Sequence, residues 1–317
     1  MPLTDTKNMS FDIIIPTYRP DTEFAELLRS LALQVVQPNN IFVVNTEEKY
    51  WNDQWEKKYP KLKVIHIKKS EFDHGGSRNK AAALSTADIL IFMTQDALPA
   101  DENTIKELIK PIEEEKAEVS YCRQMPRKNA DMIERYTRNF NYPEESRIKT
   151  SADLGTLGIK TFFCTNVCAA YRRDIFVSLG CFPQPIVLNE DTIFAARAIE
   201  AGYRVSYTAQ AGIIHSHNYS GIQQFHRNFD IGASHALYPE IFSKYPAQGE
   251  GMRLVKQTMK YVIKNKKPLL VFKTIHLSGW KFLGYSFGKR FKKLSKSTVK
   301  KWSMAPSFWE GYYKNIH

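Results

Sequence analysis

Four short polar clusters carry the chemistry this 317-residue chain offers. The first, Thr94-Gln95-Asp96, directly follows the apolar run Asp88 to Met93. A carboxylate at a strand end is fixed by the sheet yet open to solvent. Asp96 is therefore placed either to cap the following turn or to hold a hard divalent cation with phosphate oxygens and water. The second cluster is EFDHGGSRNKAAALSTA, Glu71 to Ala87. Its glycines allow close backbone approach, the alanine-rich stretch reads as a helix, and the amino-terminal end of that helix suits an anion. Arg78 adds a rigid fork of donors for phosphate or carboxylate, with Asp73, His74 and Gly75 at the turn. A glycine turn with solvated charges is the competing explanation.

Third comes Asn189-Glu190-Asp191, at the expected start of a helix. The helix dipole alone favours both acids there. An ionised Asp at that place also serves as a general base that takes the proton of an attacking hydroxyl. Fourth is HSHNYS, His215 to Ser220, after an apolar run. If the strand continues, alternation puts His215 and His217 on one face. They are either surface histidines at a strand end or ligands for a metal or a diphosphate.

Such clusters need a scaffold to bring them together. FDIIIP (Phe11 to Pro16), NIFVVN (Asn40 to Asn45), LKVIHI (Leu62 to Ile67) and DILIFM (Asp88 to Met93) read as buried strands. In DTEFAELLRSLALQ, Phe24, Leu27, Leu28 and Leu31 recur at helical spacing, and Asp21 or Thr22 starts the helix. Strands alternating with helices predict an α/β fold around a mainly parallel sheet covered on both faces. Ligands in such sheets bind beyond the carboxyl ends of the strands. Thr17 to Arg19, Asn45 to Glu47, and Gln95 with Asp96 all fall just past such ends. The stretch from Glu134 to Phe163 is weakly periodic and is expected as a loop or excursion that leads to a strand at Thr161 to Thr165. After Pro183, NEDTIFAARAIEAGY predicts a helix capped by Asn189 and ended by Gly202.

With 43% hydrophobic and 13% aromatic residues the chain can bury a large core, which excludes disorder. Its formal charge of +12 points to a polyanionic partner, and the excess is local. From Met252 to Ser303 there are fifteen Lys and Arg and no Asp or Glu, interleaved with Trp, Phe, Tyr and Leu. We expect residues 1–245 to form a catalytic domain and residues 246–317 a basic, aromatic, helical extension. That composition suits helices on an anionic membrane, or a helical pair packed on the domain or forming a homodimer contact. Basic and aromatic residues also hold single strands, but no recognised nucleic-acid motif accompanies them, so no nucleic-acid partner is expected. No signal peptide and no run of about eighteen apolar residues is seen, which leads to an expectation of a cytoplasmic protein, peripheral on the inner face of the plasma membrane. Cys122, Cys164, Cys168 and Cys181 lack paired spacing and are expected to be reduced.

In order, IIIPTYRP, FDHGGSRN, TQDALP, NEDTIFAARAIEAGY and HSHNYS resemble the family-2 glycosyltransferases, over roughly residues 10 to 235. FDHGGSRN, TQDALP and HSHNYS are most similar to the bacterial rhamnosyltransferases of that family. The resemblance implies a glycosyltransferase A-type, nucleotide-sugar-binding fold and an inverting, metal-dependent transfer from dTDP-L-rhamnose to a lipid-linked or polysaccharide acceptor in cell-surface glycan synthesis. It makes Asp191 the catalytic base. It places Thr17, Arg19, Asn45, Asp73, His74, Gly75, Arg78, Gln95, Asn166 and Glu190 around the donor, and Asp96, His215 and His217 at Mg2+ or Mn2+. Two departures stand out: Asn45-Thr46-Glu47 replaces the usual acidic pair after the second strand, and Thr94-Gln95-Asp96 replaces Asp-x-Asp. A UDP-hexose transferase is the nearest alternative, and a non-catalytic membrane-associated scaffold is the alternative of another class.

Overall fold

The apolar runs of the first hundred residues become four strands: β1 (Phe11–Tyr18), β2 (Ile41–Thr46), β3 (Leu62–Ile67) and β4 (Ile89–Met93). In the computed structural model, which describes residues 8–245 and 248–315, they lie parallel in the order β3-β2-β1-β4. Alternate residues feed two cores. Ile14, Phe42, Val44, Leu90 and Phe92 join one, while Ile13, Ile15, Val43, Ile89 and Ile91 join the other. Across β1, β2 and β4 neither face meets water, which is why these runs are mostly apolar, whereas the edge strand β3 exposes Lys63. The helix Thr22–Ala32 covers the second face with Phe24, Leu27, Leu28 and Leu31. Asp21 caps it, its carboxylate accepting from the Glu23 amide at 2.9 Å.

Beyond β4 the sheet is mixed. β5 (Leu98–Pro99), β6 (Val119–Met125), β7 (Arg147–Lys149), β8 (Cys168–Arg172) and β9 (Val205–Ile214) extend it to nine strands among the described residues. The order is β3-β2-β1-β4-β8-β6-β9-β5, with β7 paired to β9. β8 runs against both β4 and β6 because the chain enters it from the carboxyl rim of the sheet, without a crossover. Met93 therefore faces Cys168, and the Thr94 amide donates to the Val167 carbonyl at 3.2 Å. This brings Thr165 to Val167 to the same rim as Thr94 to Asp96. β6 and β9 pair in parallel with a bulge after Cys122, beyond which the His215 amide donates to the Met125 carbonyl at 3.0 Å. Bulges of this kind re-aim side chains beside sites.

Several segments differ from the sequence expectation. Thr161 to Thr165 is not a strand: Gly158–Phe162 form a 3₁₀ turn and β8 begins only at Cys168. The aromatic pair there serves packing, with Phe162 fully buried and 5.0 Å from Tyr245 between ring centroids. The stretch expected as a loop or excursion holds β7 and most of the helix Met132–Asn141, which Asp131 caps through the Glu134 amide at 2.8 Å. The helix Glu190–Glu200 forms, followed by Gly202 at φ +90, but Asn189 sits at φ +70 and its side chain makes no cap bond.

The expected boundary between 245 and 246 adjoins residues 246 and 247, which lie outside the described residues. The helices Gln248–Lys264 and Leu270–Gly288 follow, joined through residues 265–269. The second crosses the helix Gly221–Leu237 at backbone contact. A Cβ on Gly284 would stand 2.2 Å from the Phe225 carbonyl oxygen, and one on Gly288 2.0 Å from that of Phe229. The helices Lys296–Trp302 and Pro306–Asn315 then turn back, and Phe291, Val299, Phe308 and Trp309 form a third core with Val187, Phe229 and Ala233.

Candidate active site

Where β4 and β9 end and β8 begins, a cavity of about 230 Å³ is lined by His74, Arg78, Asp96, Asn166, Glu190, Asp191, His215 and His217. Asp96 Oδ2 lies 3.4 Å from His215 Nε2 and 3.2 Å from His217 Nε2, and the two nitrogens are 3.1 Å apart. Gln124 on β6 decides how His215 presents itself. Its Oε1 accepts from the Arg138 guanidinium and stands 3.1 Å from His215 Nδ1, while its Nε2 donates to Thr165 Oγ1 at 3.0 Å. An acceptor at Nδ1 keeps the ring proton there and leaves Nε2 as a lone pair facing the Asp96 carboxylate. Facing lone pairs repel unless positive charge lies between them, so this set of two nitrogens and one oxygen fits a divalent cation. Burial pushes the His215 pKa down and keeps the ring neutral, as a ligand must be.

Opposite this cluster stands a second one. Arg78 Nη1 donates to the His74 carbonyl at 2.8 Å and lies 3.3 Å from Glu190 Oε1, both side chains being almost wholly buried. Glu190 Oε1 also accepts from Asn166 Nδ2 at 3.0 Å, and Asn166 Oδ1 accepts from the Tyr171 hydroxyl at 2.8 Å. The Asn166 amide donates to Asp191 Oδ2 at 2.9 Å, and the Thr192 amide donates to Asp191 Oδ1 at 2.7 Å. Adjacent carboxylates thus meet opposite surroundings. Burial acts to raise Glu190, yet the Arg78 charge prevails and keeps it ionised. Burial, with the Glu190 charge second, pushes Asp191 up to about 7. A carboxylate poised there can accept a proton near neutral pH, as a general base must.

The remaining residues singled out in the sequence do not line this cavity. Thr17 is buried and donates to Asn45 Oδ1 at 3.1 Å; Asn45 Nδ2 in turn meets His66 Nδ1 at 3.0 Å and the Glu47 carbonyl at 3.2 Å. Arg19, at φ +50, donates to the Tyr50 hydroxyl at 2.9 Å on the surface. Gln95 clasps the β1 end, accepting from the Tyr18 amide at 2.8 Å and donating to its carbonyl at 3.2 Å. Asp73 caps the helix His74–Ala82 through the Gly76 amide at 2.5 Å and accepts from the Ile186 amide at 2.6 Å. Burial raises its pKa to about 6. Gly75 is required by packing, since a Cβ there would lie 2.0 Å from the Pro183 carbonyl oxygen.

Sequence reasoning missed Gln124 and Arg227. Arg227, on the helix Gly221–Leu237, lines this cavity and an adjoining one, and among the described residues no carboxylate pairs with it. The available signal was the capping box of Ser220 and Gln223, which opens a helix directly after the histidines and so aims its first turns at them. Gln124 gave only a weak one, a polar residue at the end of an apolar strand.

The profile of glycosyl transferase family 2 matches residues 12–180. The O-antigen chain rhamnosyltransferases RfbN of Salmonella typhimurium and WbaN of Salmonella anatum are each 38% identical over 303 residues, covering 95% of this chain and 96% of each relative. Among solved structures, the mannosyltransferase PcManGT from Pyrobaculum calidifontis, in complex with GDP-Man and Mn2+, is similar with a TM-score of 0.55 and 15% identity, over 98% of this chain and 88% of that one. S. aureus TarS 1-349 gives 0.52 and 17%, over 90% and 91%. At such identities these two speak for the fold alone. The profile takes in β1 to β4 and the Asn166 loop, and the match to the relatives is long enough to take in Asp191 and the histidines as well; this chain belongs to glycosyl transferase family 2.

Proposed function

We propose that the chain transfers an L-rhamnosyl residue from dTDP-L-rhamnose, with inversion, to a hydroxyl of a lipid-linked or polysaccharide acceptor in bacterial cell-surface glycan synthesis. One observation carries the chemistry: the Asp96, His215 and His217 cluster and the Arg78, Glu190 and Asp191 cluster line a single cavity. The sugar follows from the relatives, which are O-antigen chain rhamnosyltransferases over nearly their whole length.

In this reading Asp191 takes the proton of the acceptor hydroxyl while that oxygen bonds to the anomeric carbon. The bond from that carbon to the diphosphate oxygen breaks on the opposite face, and its electron pair leaves with dTDP. Arg227 donates to the departing diphosphate and stabilises its growing charge. Arg78 keeps Glu190 ionised, and Glu190 makes Asp191 more basic, so both are positioning residues. Asp96, His215 and His217 would hold a divalent ion, which when bound neutralises charge on the leaving group. Two imidazoles suit Mn2+ better than Mg2+, which prefers an all-oxygen shell.

Transfer and hydrolysis assays with Mn2+ across dTDP-L-rhamnose, UDP-glucose and GDP-mannose test the donor. Turnover with dTDP-L-rhamnose is expected, and turnover with UDP-glucose alone would replace it.

The two helices after residue 247 support an acceptor at an anionic membrane. Among the described residues no helix is long and apolar enough to cross a membrane. Around the turn between these helices, however, Leu269 is 78% and Phe272 72% exposed, next to Ile263, Lys264, Lys266 and Lys267. Exposed apolar side chains among lysines are what interfacial binding to anionic lipid uses.

A further inference from the structure

A larger cavity, about 420 Å³, opens beside the reacting one and shares His74, Leu188 and Arg227 with it. One wall comes from the ends of the parallel strands and the loop after β3: Tyr18, Thr46, Lys69 and Phe72. The facing wall comes from the far end of the chain, Met304 to Ser307. On the nucleotide-sugar reading the nucleoside of the donor belongs here, past the ends of the parallel strands; we propose that residues 304–307 are a fixed strap completing its binding site.

Four features of the cavity carry the proposal, which rests on the nucleotide-sugar reading above. Thr46 lines the cavity, is 2% exposed, and its buried hydroxyl has no partner among the described residues. Tyr18 and Phe72, with Met304, Ala305 and Pro306 opposite, give the apolar and aromatic walls a base and a deoxyribose need. Arg227 stands at the seam, where a diphosphate must lie if the sugar occupies the cavity with Asp191. The strap is also anchored from both sides. Asp230, one helical turn beyond Arg227, accepts from the Met304 amide at 2.8 Å and from Trp309 Nε1 at 3.4 Å. On the other side, the helix Pro306–Asn315 packs against the Lys69–Glu71 turn so closely that a Cβ on Gly311 would be 3.1 Å from the Ser70 carbonyl oxygen. The end of the extension thereby ties the β3 loop to the helix that carries Arg227.

Titration calorimetry in Mn2+ with dTDP and with inorganic pyrophosphate tests this on the full chain, comparing wild type with Met304→Ala and the space-filling Ser307→Trp. Met304 is exposed and Ser307 partly exposed, and unchanged melting verifies the fold. The expected result for Ser307→Trp is dTDP affinity weaker by about tenfold or more, with pyrophosphate affinity unchanged, and a smaller loss of the same kind for Met304→Ala. Unchanged dTDP affinity in both variants overturns the strap, as does equal weakening of the two ligands. A wild-type protein that binds pyrophosphate but no nucleotide ends the nucleotide-sugar reading itself.

Discussion

Asp191 and Glu190 are neighbours in sequence with pKa values pushed in opposite directions, and the difference lies in what each touches. Glu190 meets Arg78, while Asp191 meets two backbone amides and the Glu190 charge. With Asp191 as the proposed base, active only when ionised, kcat/KM should rise with pH through an apparent pKa near 7 and fall about tenfold per unit below it. Asp191→Asn should lose about 10²–10⁴-fold in transfer rate while keeping donor affinity, measured by initial rates and calorimetry. Glu190→Gln should move the rise in the pH profile to lower pH, because its charge no longer opposes ionisation of Asp191; an unmoved profile would take Glu190 out of that role. At the other cluster Gln124 is the residue to remove. Gln124→Ala frees the His215 tautomer and should weaken Mn2+ binding by about 10–100-fold without touching any ligand atom, read by metal titration.

At the scale of elements, the reversal of β8 does most to assemble the site, since it returns Asn166 to the rim where β4 delivers Asp96. Strand direction is not written in a run such as CAAYR. It follows from where the preceding segment leaves the chain, and there the aromatic residues of 161–165 suggested a ladder while serving the core. The first four strands and the helix Thr22–Ala32 were legible because burial on both faces, or on one stripe, leaves a repeating mark. The crossing of Gly221–Leu237 with Leu270–Gly288 left only scattered glycines. Gly288→Val should force these helices apart and lower stability by about 1–3 kcal/mol, seen as an earlier thermal or denaturant midpoint.

The whole molecule divides its basic extension between two tasks. Its last helices pack against the Arg227 helix, while the turn near residue 268 carries exposed Leu269 and Phe272 among lysines. Each lysine near an anionic surface contributes about 1 kcal/mol, so Lys266→Glu with Lys267→Glu should sharply reduce flotation with anionic vesicles. Hydrolysis of free donor should be unchanged in that double variant, because the turn lines neither cavity. Vesicle binding that survives the charge reversal would point to another lipid contact or to a dimer face.

By itself, the sequence determined which segments are buried strands, which acids and histidines lie just past them, and that positive charge gathers near the carboxyl end. Those features are local, and local burial and charge are recorded residue by residue. Tertiary structure alone decided that Asp96 and Asp191 share a cavity, that Gln124 sets the His215 tautomer, that Arg227 lines both cavities, and that Met304 to Ser307 stand opposite Tyr18 and Thr46. Each of these depends on chain reversals and helix crossings between distant segments, whose geometry no single stretch of residues encodes.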